Sequence, residues 1–314
     1  MSALVEAKPA VTTDLLSIAD LSCAQIRQLF EATAAHKREP GRLAGALAGK
    51  SIVLLFEKPS LRTRITFELG IAKLGGYALY YDQSKERIGE RESIRDYARN
   101  LERWVDAVVA RVFTHATLEG LAEHGSMPVI NALSDLEHPC QALADLFTLQ
   151  ERLGSLEGAK LAYVGDGNNV CHSLLLACAL LGVDMVVATP KGFEPQFEIV
   201  RKALAQCKSS GATITLTNDP EAIAGASAVY TDKWVSMGQA DQTTWRGERF
   251  YGFQVNEDLM AIAGKQALFM HCLPAGRGKE VTDAIIDSPA SIVYDQAENR
   301  LHVQNALLAG MVGG

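Results

Sequence analysis

Residues 51–73, SIVLLFEKPSLRTRITFELGIAK, join a predicted strand to a predicted helix through a short polar turn. The run from Ile52 to Phe56 is continuously apolar, which is typical of a strand covered on both faces. From Thr63 onward the pattern is helical, and Ser60 stands where a helix N-cap is expected. A buried strand followed at once by a helix is the repeating unit of parallel α/β folds. This stretch therefore predicts a parallel sheet flanked by helices.

The same alternation of apolar runs and helical patterns extends along the chain. Eight further runs predict strands, at 77–82, 106–112, 127–133, 160–165, 184–189, 213–217, 227–232 and 267–272. Most of them are continuous rather than alternating, again as expected for strands buried on both faces. A shorter strand-like stretch, SIVYD, occupies 291–295. The sequence thus predicts the α/β class throughout.

The predicted strands fall into two groups, which predict two domains, each a parallel sheet flanked by helices. The first domain spans 1–150 with four strands, and the second spans 151–295 with five. Residues 138–154 predict a long helix that joins the two domains. Residues 296–314 predict a C-terminal helix that returns to the first domain. A length of 314 residues suits two domains of ordinary size.

The composition argues against several classes of protein. The chain carries 30 Lys and Arg against 37 Asp and Glu, a net charge of -7, whereas binding a nucleic-acid backbone needs a basic face. No run approaches the roughly 20 apolar residues of a membrane helix. Residues 1–16 break their apolar patches with charged residues and a proline, unlike a secretory signal. We expect a soluble cytoplasmic protein that binds neither nucleic acid nor membrane.

The six cysteines are scattered, and none of them forms a CxxC pair. Cys171 and Cys178 stand seven residues apart in an apolar helical pattern, which predicts that both are core thiols. Neither a disulfide framework nor a structural zinc site is expected from this spacing.

The turn formed by Ser60, Leu61, Arg62 and Thr63 has the chemistry of an anion site. Backbone N–H groups at a helix start, together with the positive end of the helix dipole, attract a phosphate. Ser60 and Thr63 add hydroxyl donors, and Arg62 adds a planar fork that matches phosphate oxygens. The alternative is an ordinary N-cap at Ser60 followed by solvated arginines.

Other polar residues follow the predicted strands, at the edge where open parallel sheets bind ligands. Arg111 ends a buried strand and needs a partner there, either a ligand or a helix carboxylate. His138 and Gln141 lie three residues apart at a predicted helix start, with Pro139 at the first helical position. Both can face one ligand atom, although a lone histidine is more often structural. Arg300 begins the last helix and is either a ligand contact or a solvated arginine.

The second domain presents three further polar turns after its strands. Asn168 and Asn169 follow the strand predicted at 160–165, and their side chains suit hydrogen bonds to a polar organic ligand. Asp232 opens the loop DKWVSMG at 232–238, for which the alternative is an ordinary surface loop. Cys272 ends another strand, where the alternative is simply a buried small residue.

The glycines of the turn at 165–170 argue against a nicotinamide cofactor. Gly165 and Gly167 fit the G-x-G-x-x-G pattern, but Val170 replaces its third glycine. No acidic residue follows the next strand, where a dinucleotide site places one for the ribose. A nucleotide-binding oxidoreductase is therefore disfavoured.

Seven ordered motifs in these segments together resemble the aspartate/ornithine carbamoyltransferase family. They are FEKPSLRTR, ARVF, HPCQALAD, GDGNNVCHS, DKWVSMGQ, HCLPAGRG and DQAENRLH. The motifs are collinear from about residue 51 to 312, so the resemblance covers nearly the whole chain. It implies transfer of a carbamoyl group from carbamoyl phosphate to an amine, with no metal or organic cofactor. It also implies a homotrimer, or a multiple of trimers, with active sites shared between subunits.

The resemblance implies roles for the matching residues of the first domain and of the last helix. The phosphate of carbamoyl phosphate would be held by Ser60, the Leu61 backbone, Arg62 and Thr63. The carbamoyl end would be bound by Arg111, His138, Gln141 and Arg300. Arg111 would also bridge to the phosphate, while Arg111, His138 and Arg300 would stabilise negative charge on the carbamoyl oxygen.

The resemblance implies that the second domain holds the acceptor. Its amino-acid end would be bound by Asn169, Asp232, Ser236 and Met237. Cys272 and Leu273 would lie beside the reacting amine. The SMG loop marks the ornithine branch, because a cationic side chain needs acceptors such as Asp232, whereas aspartate needs basic residues. The expected products are L-citrulline and phosphate, and Asp232, Cys272 and released phosphate remain alternative acceptors of the amine proton.

Three positions depart from the family's common motifs. Leu61 replaces the second residue of S-T-R-T-R, and Gly276 replaces the His of HCLPAHRG. Arg87 stands where relatives commonly present a Gln to the carbamoyl phosphate of a neighbouring subunit, and we expect it to act likewise. The sequence leaves open a related acceptor amine, a non-catalytic binding protein on the same scaffold, and the choice between arginine biosynthesis and breakdown.

Overall fold

A computed structural model of the chain describes residues 13–235 and 247–313. These residues form two compact units. The first unit contains the described residues up to Leu143 together with those from Arg300 onward, and the second contains those from Ala144 to Asn299. The divisions lie seven residues before the predicted domain boundary at 150 and four residues after the one at 295. The exact domain boundaries stay a prediction.

The first unit contains a four-stranded parallel sheet in the order β2-β1-β3-β4. Its strands are β1 (Ser51–Phe56), β2 (Tyr77–Asp82), β3 (Ala107–Arg111) and β4 (Val129–Leu133). The helices of this part of the chain are α1 (Cys23–Arg38), α2 (Leu61–Lys73), α3 (Ile94–Leu101) and α4 (His115–His124). Helix α5 (Pro139–Leu153) then continues into the second unit.

The second unit contains a five-stranded parallel sheet in the order β7-β6-β5-β8-β9. Its strands are β5 (Lys160–Val164), β6 (Asp184–Ala188), β7 (Ile214–Thr217), β8 (Ala228–Thr231) and β9 (Leu268–His271). Its helices include α6 (Asn169–Leu181), α7 (Phe197–Ser210), α8 (Glu257–Ala263) and α9 (Asp283–Ile286). Helix α10 (Val293–Met311) returns the chain to the first unit. The predicted α/β class and the nine main strands are confirmed.

Burial on both faces explains the continuous apolar runs of the central strands. Ile52 and Leu54 point to opposite faces from Val53 and Leu55, yet all four are at most 2% exposed. Burying one such side chain stabilises the fold by about 1.5–3 kcal/mol. β2 differs because it is an edge strand, and its Tyr77, Leu79 and Tyr81 are 63%, 46% and 50% exposed.

The prediction of a strand at 291–295 is wrong. Ser291 makes only an isolated bridge to Phe269, and α10 already begins at Val293. Ile292 and Val293 are apolar because both are buried, 2% and 0% exposed, and the packing of the core overrides their strand propensity.

A helix that crosses a membrane must be both long and apolar. Among residues 13–235 and 247–313, no helix meets both requirements.

Candidate active site

The turn after β1 is a helix start with a capped first turn. The Ser60 hydroxyl accepts a hydrogen bond from the backbone N–H of Thr63 at 3.3 Å, as the sequence predicted for an N-cap. Leu61 begins α2 and is 71% exposed, and Arg62 follows it at half-buried depth. Because a hydroxyl that accepts can still donate through its own proton, capping leaves Ser60 able to bind an anion as well.

Thr63 connects this turn to the last helix. Its side chain is 1% exposed, and its Oγ1 accepts a hydrogen bond from Nη2 of Arg300 at 2.7 Å. Arg300 is itself 3% exposed and is the first residue that α10 contributes to the first unit. A guanidinium buried at this turn adds positive charge where the helix dipole is already positive.

Arg111 and His138 lie at the same edge of the first sheet. Arg111 ends β3 at 4% exposure, and the β3–β4 pairing is irregular there, with the register shifting between Ala110 and Arg111. The extra residue is Ala132 on β4, whereas β3 stays in regular register with β1 through Arg111. His138 follows β4 and is 5% exposed, directly before α5 begins at Pro139, the first helical residue that the sequence predicted.

The electrostatics of this group keep His138 uncharged. Burial lowers the pKa of His138 well below its ordinary value of 6.5, and the charges of Arg300 and Arg111 lower it further. A neutral imidazole donates one hydrogen bond but is not an acid of useful strength at neutral pH. Gln141 is 1% exposed in the first turn of α5, and its backbone N–H donates to the His138 carbonyl at 3.1 Å.

Arg87 lies on the surface beside a cavity of about 550 Å³. Its guanidinium carbon stacks 4.4 Å from the centre of the Phe113 ring, and Nζ of Lys58 lies 4.7 Å from the same centre. The buried Glu57 carboxylate fixes both sides of this region by accepting from the backbone N–H groups of Ile88 at 2.8 Å and Phe113 at 2.6 Å. Burial lowers the pKa of Lys58, and the Arg111 charge lowers it further.

In the second unit, Asp232 is the centre of a hydrogen-bond network at the carboxyl ends of the strands. Its Oδ1 accepts from the Cys272 thiol at 3.0 Å and from the backbone N–H of Lys233 at 2.7 Å. Its Oδ2 accepts from Nδ2 of Asn168 at 2.7 Å. Asp232 is half-buried, and its three donors fix the orientation of its carboxylate. A carboxylate fixed in this way can bind a cation in one defined geometry.

The Cys272 thiol stays protonated. Burial raises the pKa of this thiol well above its ordinary value, and the adjacent Asp232 carboxylate raises it further. The hydroxyl of Tyr230 also lies within reach of the thiol and donates to the buried carboxylate of Asp145 at 2.8 Å. Cys272 is therefore a donor to Asp232, and neither a nucleophilic thiolate nor a base.

Asn168 has a structural role, while the ligand contact that the sequence suggests for it stays a prediction. Its Oδ1 caps α6 by accepting from the backbone N–H groups of Val170 at 3.0 Å and Cys171 at 3.2 Å, while its amide holds Asp232. Asn169, the first residue of α6, is half-buried beside it. A Cβ at Gly167 would lie 2.4 Å from the backbone nitrogen of Pro195, so only glycine fits that turn.

The loop after Asp232 is described only in part. Trp234 is partly buried and stacks on Phe250, with ring centres 5.4 Å apart and planes inclined by 29°. Ser236 and Met237, which the sequence placed in the acceptor site, lie outside the described residues. Leu273, by contrast, is half-buried and packs against the core of the second unit. The predicted core thiols, Cys171 and Cys178, are both fully buried.

Among the described residues, one group brings together side chains of the types that bind metal ions. The ligand atoms of Asp232, His271 and Cys272 lie within 4.8 Å of one another. They are already engaged, since the thiol donates to Asp232 and Nδ1 of His271 accepts from the Leu273 N–H at 2.8 Å. A cation would have to displace these hydrogen bonds.

Both halves of the chain match domains of one protein family. The carbamoyl-phosphate-binding domain of the aspartate/ornithine carbamoyltransferases matches residues 13–151, and their aspartate/ornithine-binding domain matches residues 157–311. Together the two matches span nearly the whole chain. The chain belongs to the aspartate/ornithine carbamoyltransferase family. The resemblance carried by the seven sequence motifs is thereby confirmed.

Members of this family with high similarity are named for ornithine. An ornithine carbamoyltransferase of Shewanella oneidensis is 50% identical over 293 residues, 93% of this chain and 97% of the relative. The anabolic ornithine carbamoyltransferase of Pyrococcus furiosus is 48% identical over 304 residues, 96% of each chain. The solved structure of the ornithine carbamoyltransferase from Pyrococcus furiosus superposes with a TM-score of 0.94 at 47% identity, covering 98% of this chain and 99% of that one.

Proposed function

We propose that this carbamoyltransferase moves the carbamoyl group of carbamoyl phosphate to the side-chain amine of L-ornithine, giving L-citrulline and phosphate. The observation that carries the proposal is the buried group of Arg111, His138 and Arg300 in the first unit, two cations around a neutral imidazole. Such a group suits an acyl phosphate, which brings a dianion and develops charge on its carbonyl oxygen. The names of the similar family members favour ornithine as the acceptor.

The phosphate end of the substrate would bind at the start of α2. Backbone N–H groups from Leu61 onward and the positive helix end attract the anion. The hydroxyls of Ser60 and Thr63 donate to its oxygens, and Arg62 provides a two-pronged, charge-assisted contact. The 2.7 Å contact between Arg300 and Thr63 supports this assignment because it brings a second guanidinium to the same turn.

The carbamoyl end would bind Arg111, His138, Gln141 and Arg300. As the amine attacks, negative charge grows on the carbamoyl oxygen, and each fixed donor to such an oxygen is worth about 3–4 kcal/mol. His138 is neutral, so it acts by donating a hydrogen bond and not by giving up a proton. The chemistry then consists of positioning and charge stabilisation, because carbamoyl phosphate carries its own leaving group.

The acceptor would bind in the second unit, with its amino-acid end at Asn169, Asp232, Ser236 and Met237 and its amine near Cys272 and Leu273. The amine must be neutral to attack, and deprotonating a lysine-like amine at neutral pH costs about 4–5 kcal/mol. The protonated thiol of Cys272 cannot take that proton. Asp232 and the departing phosphate therefore remain as its acceptors.

Arg87 and an apolar surface of the first unit support self-association, as a homotrimer or a multiple of trimers. Leu61, Ile65 and Leu69 form one exposed stripe of α2, at 71%, 43% and 51% exposure. Exposed apolar side chains also line the edge strand β2, which among residues 13–235 and 247–313 pairs only with β1. Such an edge can pair with another chain. We propose that a second copy covers this surface and that Arg87 reaches its carbamoyl phosphate.

A substrate panel tests the proposed function. Ornithine, aspartate, putrescine and N-acetylornithine are supplied separately with carbamoyl phosphate, and carbamoylated product and phosphate are measured. We expect efficient transfer to ornithine alone. Faster transfer to another amine would assign a sibling activity, and no transfer to any amine would indicate a binding protein on the same scaffold.

The name of the anabolic relative favours a role in arginine biosynthesis.

A further inference from the structure

A buried carboxylate supports the loop that follows β9. Glu280 is 2% exposed, and His271, the last residue of β9, is fully buried. Oε1 of Glu280 lies 3.3 Å from Nε2 of His271 and also accepts from the backbone N–H of Gly276. One oxygen atom thus ties the end of the strand to the far side of the loop.

The contacts of His271 determine which ring nitrogen carries the proton. Nδ1 lies 2.8 Å from the backbone nitrogen of Leu273, which can only donate. Nδ1 must therefore accept, and the proton of the neutral ring lies on Nε2, facing Glu280. Carboxylate, imidazole and the Leu273 N–H form a chain in which every donor meets an acceptor.

This chain of hydrogen bonds ends at Leu273, a residue whose backbone conformation needs support. Leu273 has φ 57°, a left-handed conformation that a leucine rarely adopts unless its surroundings hold it there. Its N–H is held by His271, and Cys272, between the two, directs its thiol to Asp232. The support therefore reaches the two residues that we place beside the reacting amine.

The glycine at position 276 suits this arrangement. A Cβ there would lie 2.6 Å from Oε2 of Glu280, so the glycine that replaces the family's common histidine leaves room for the carboxylate. Burial raises the pKa of Glu280, but the hydrogen bonds from His271 and from the Gly276 N–H outweigh it, and the pKa falls below its ordinary value. The group is a carboxylate at neutral pH.

We propose that Glu280 is a positioning residue for the amine acceptor, acting through His271 to hold Leu273 and Cys272 in place. This inference rests on the proposed function, because it assumes that this loop places the amine of ornithine. The position of one oxygen atom carries the effect, and the negative charge does not. A misplacement of about 1 Å at a reacting centre can cost about 100-fold in rate.

Three substitutions in the whole enzyme separate position from charge. Glu280→Gln keeps an oxygen at the same reach without the charge, Glu280→Asp keeps the charge but withdraws the oxygen, and Glu280→Ala removes both. We expect kcat/KM for ornithine to fall by about threefold at most for Gln, about tenfold for Asp and about 100-fold for Ala. The Kd of carbamoyl phosphate, measured by calorimetry, should stay within about twofold throughout, because its residues lie in the first unit.

Asp184→Ala is the matched control for simple loss of stability. Oδ1 of Asp184 likewise accepts two hydrogen bonds, from the backbone N–H and the hydroxyl of Thr213 at 2.7 and 2.6 Å. Asp184 begins β6, at the opposite end of the sheet from the loop. This variant should lower the melting temperature and leave kcat/KM for ornithine unchanged.

The inference is overturned if Asp replaces Glu280 better than Gln does, or if the ornithine kinetics of the folded Ala variant match those of the wild type. It is also overturned if Asp184→Ala lowers kcat/KM for ornithine as much at equal loss of stability. Should the Ala variant not fold, the order of Gln and Asp decides. Absence of citrulline formation by the wild type would instead overturn the proposed function, and is measured first.

Discussion

Nη2 of Arg300 donates to Oγ1 of Thr63 at 2.7 Å, and both residues are at most 3% exposed. The two residues lie 237 positions apart in the chain. This contact connects the turn that we assign to phosphate with the arginine that we assign to the carbamoyl oxygen. In this assignment, one hydrogen-bonded pair contacts both the phosphate and the carbamoyl oxygen on which negative charge develops.

Removing the Thr63 hydroxyl should therefore weaken binding of carbamoyl phosphate. Thr63→Val keeps the shape of the side chain but leaves Nη2 of Arg300 without this acceptor, and loss of one charge-assisted bond costs about 1.5–3 kcal/mol. We expect the Kd of carbamoyl phosphate, measured by calorimetry, to rise at least tenfold, which is about 1.4 kcal/mol. Thr33→Val is the control, because the buried Thr33 hydroxyl donates only within α1, to the Leu29 carbonyl. Equal affinity in both variants would contradict the pairing.

Arg62→Ala should cripple carbamoyl phosphate binding more severely. Arg62 offers a two-pronged contact at the helix start, and its loss should cost at least about 2–3 kcal/mol, or roughly 30- to 150-fold in Kd. Arg103, whose side chain is 78% exposed in the same unit, provides the control Arg103→Ala. Calorimetry that finds unchanged affinity for Arg62→Ala would remove the phosphate assignment of the turn.

Asp232→Asn should impair ornithine selectively. The substitution replaces one carboxylate oxygen by an amide nitrogen, which cannot accept either the Asn168 amide at Oδ2 or the Cys272 thiol and Lys233 N–H at Oδ1. It also removes the negative charge that meets the amino group. We expect KM for ornithine to rise at least tenfold, about 1.4 kcal/mol, with the Kd of carbamoyl phosphate nearly unchanged. Asp219→Asn, at an exposed helix cap, is the control. Full ornithine kinetics in Asp232→Asn would mean that the acceptor is bound elsewhere.

The neutral state of His138 has a consequence for stability at low pH. Its folded pKa lies well below 6.5, so the unfolded chain takes up a proton near 6.5 while the folded protein does not. Stability is then lost as the pH falls below 6.5, by about 1.4 kcal/mol per pH unit for this one group. Urea unfolding of wild type and His138→Gln at pH 8, 6 and 5 measures it. The variant should lose less stability toward pH 5, and parallel pH curves would show that His138 is not held neutral.

Mixed oligomers test whether Arg87 acts on a neighbouring subunit. Arg87→Ala and Arg62→Ala subunits are each expected to be nearly inactive alone. If sites are shared, a mixed oligomer contains one interface with both defects and another with neither, so activity should return in part. No recovery, with subunit exchange verified by mass spectrometry, would count against sharing.

Local pattern was sufficient to predict the fold because strand burial and helix period are encoded residue by residue. The apolar run from Ile52 to Phe56 predicts a buried strand, and Ser60 predicts the start of the helix after it. The same reasoning failed at Ile292 and Val293. These two apolar residues are buried in the core, but they lie at the start of a helix and not in a strand. Their burial depends on elements distant in sequence, which no local pattern contains.

For the candidate site, the sequence indicates a set of residue types, and the contacts among them come from the structure. The pattern at Asn168 predicts a ligand contact, and an Asn before the apolar run from Val170 is also the signal of the N-cap that the structure contains. Glu280 lies outside the seven motifs, and only the fold brings it to His271. The pairing of Thr63 with Arg300 likewise arises because α10 returns to the first unit.

Carbon-13 in the carbamoyl group tests the central claim most directly. Labelled carbamoyl phosphate and ornithine are incubated with the enzyme, and the products are followed by carbon NMR together with a phosphate assay. The account predicts that the label appears in the side-chain ureido carbon of citrulline, with one phosphate released for each citrulline formed. Label that appears only in hydrolysis products, or on the α-amine of ornithine, would contradict it.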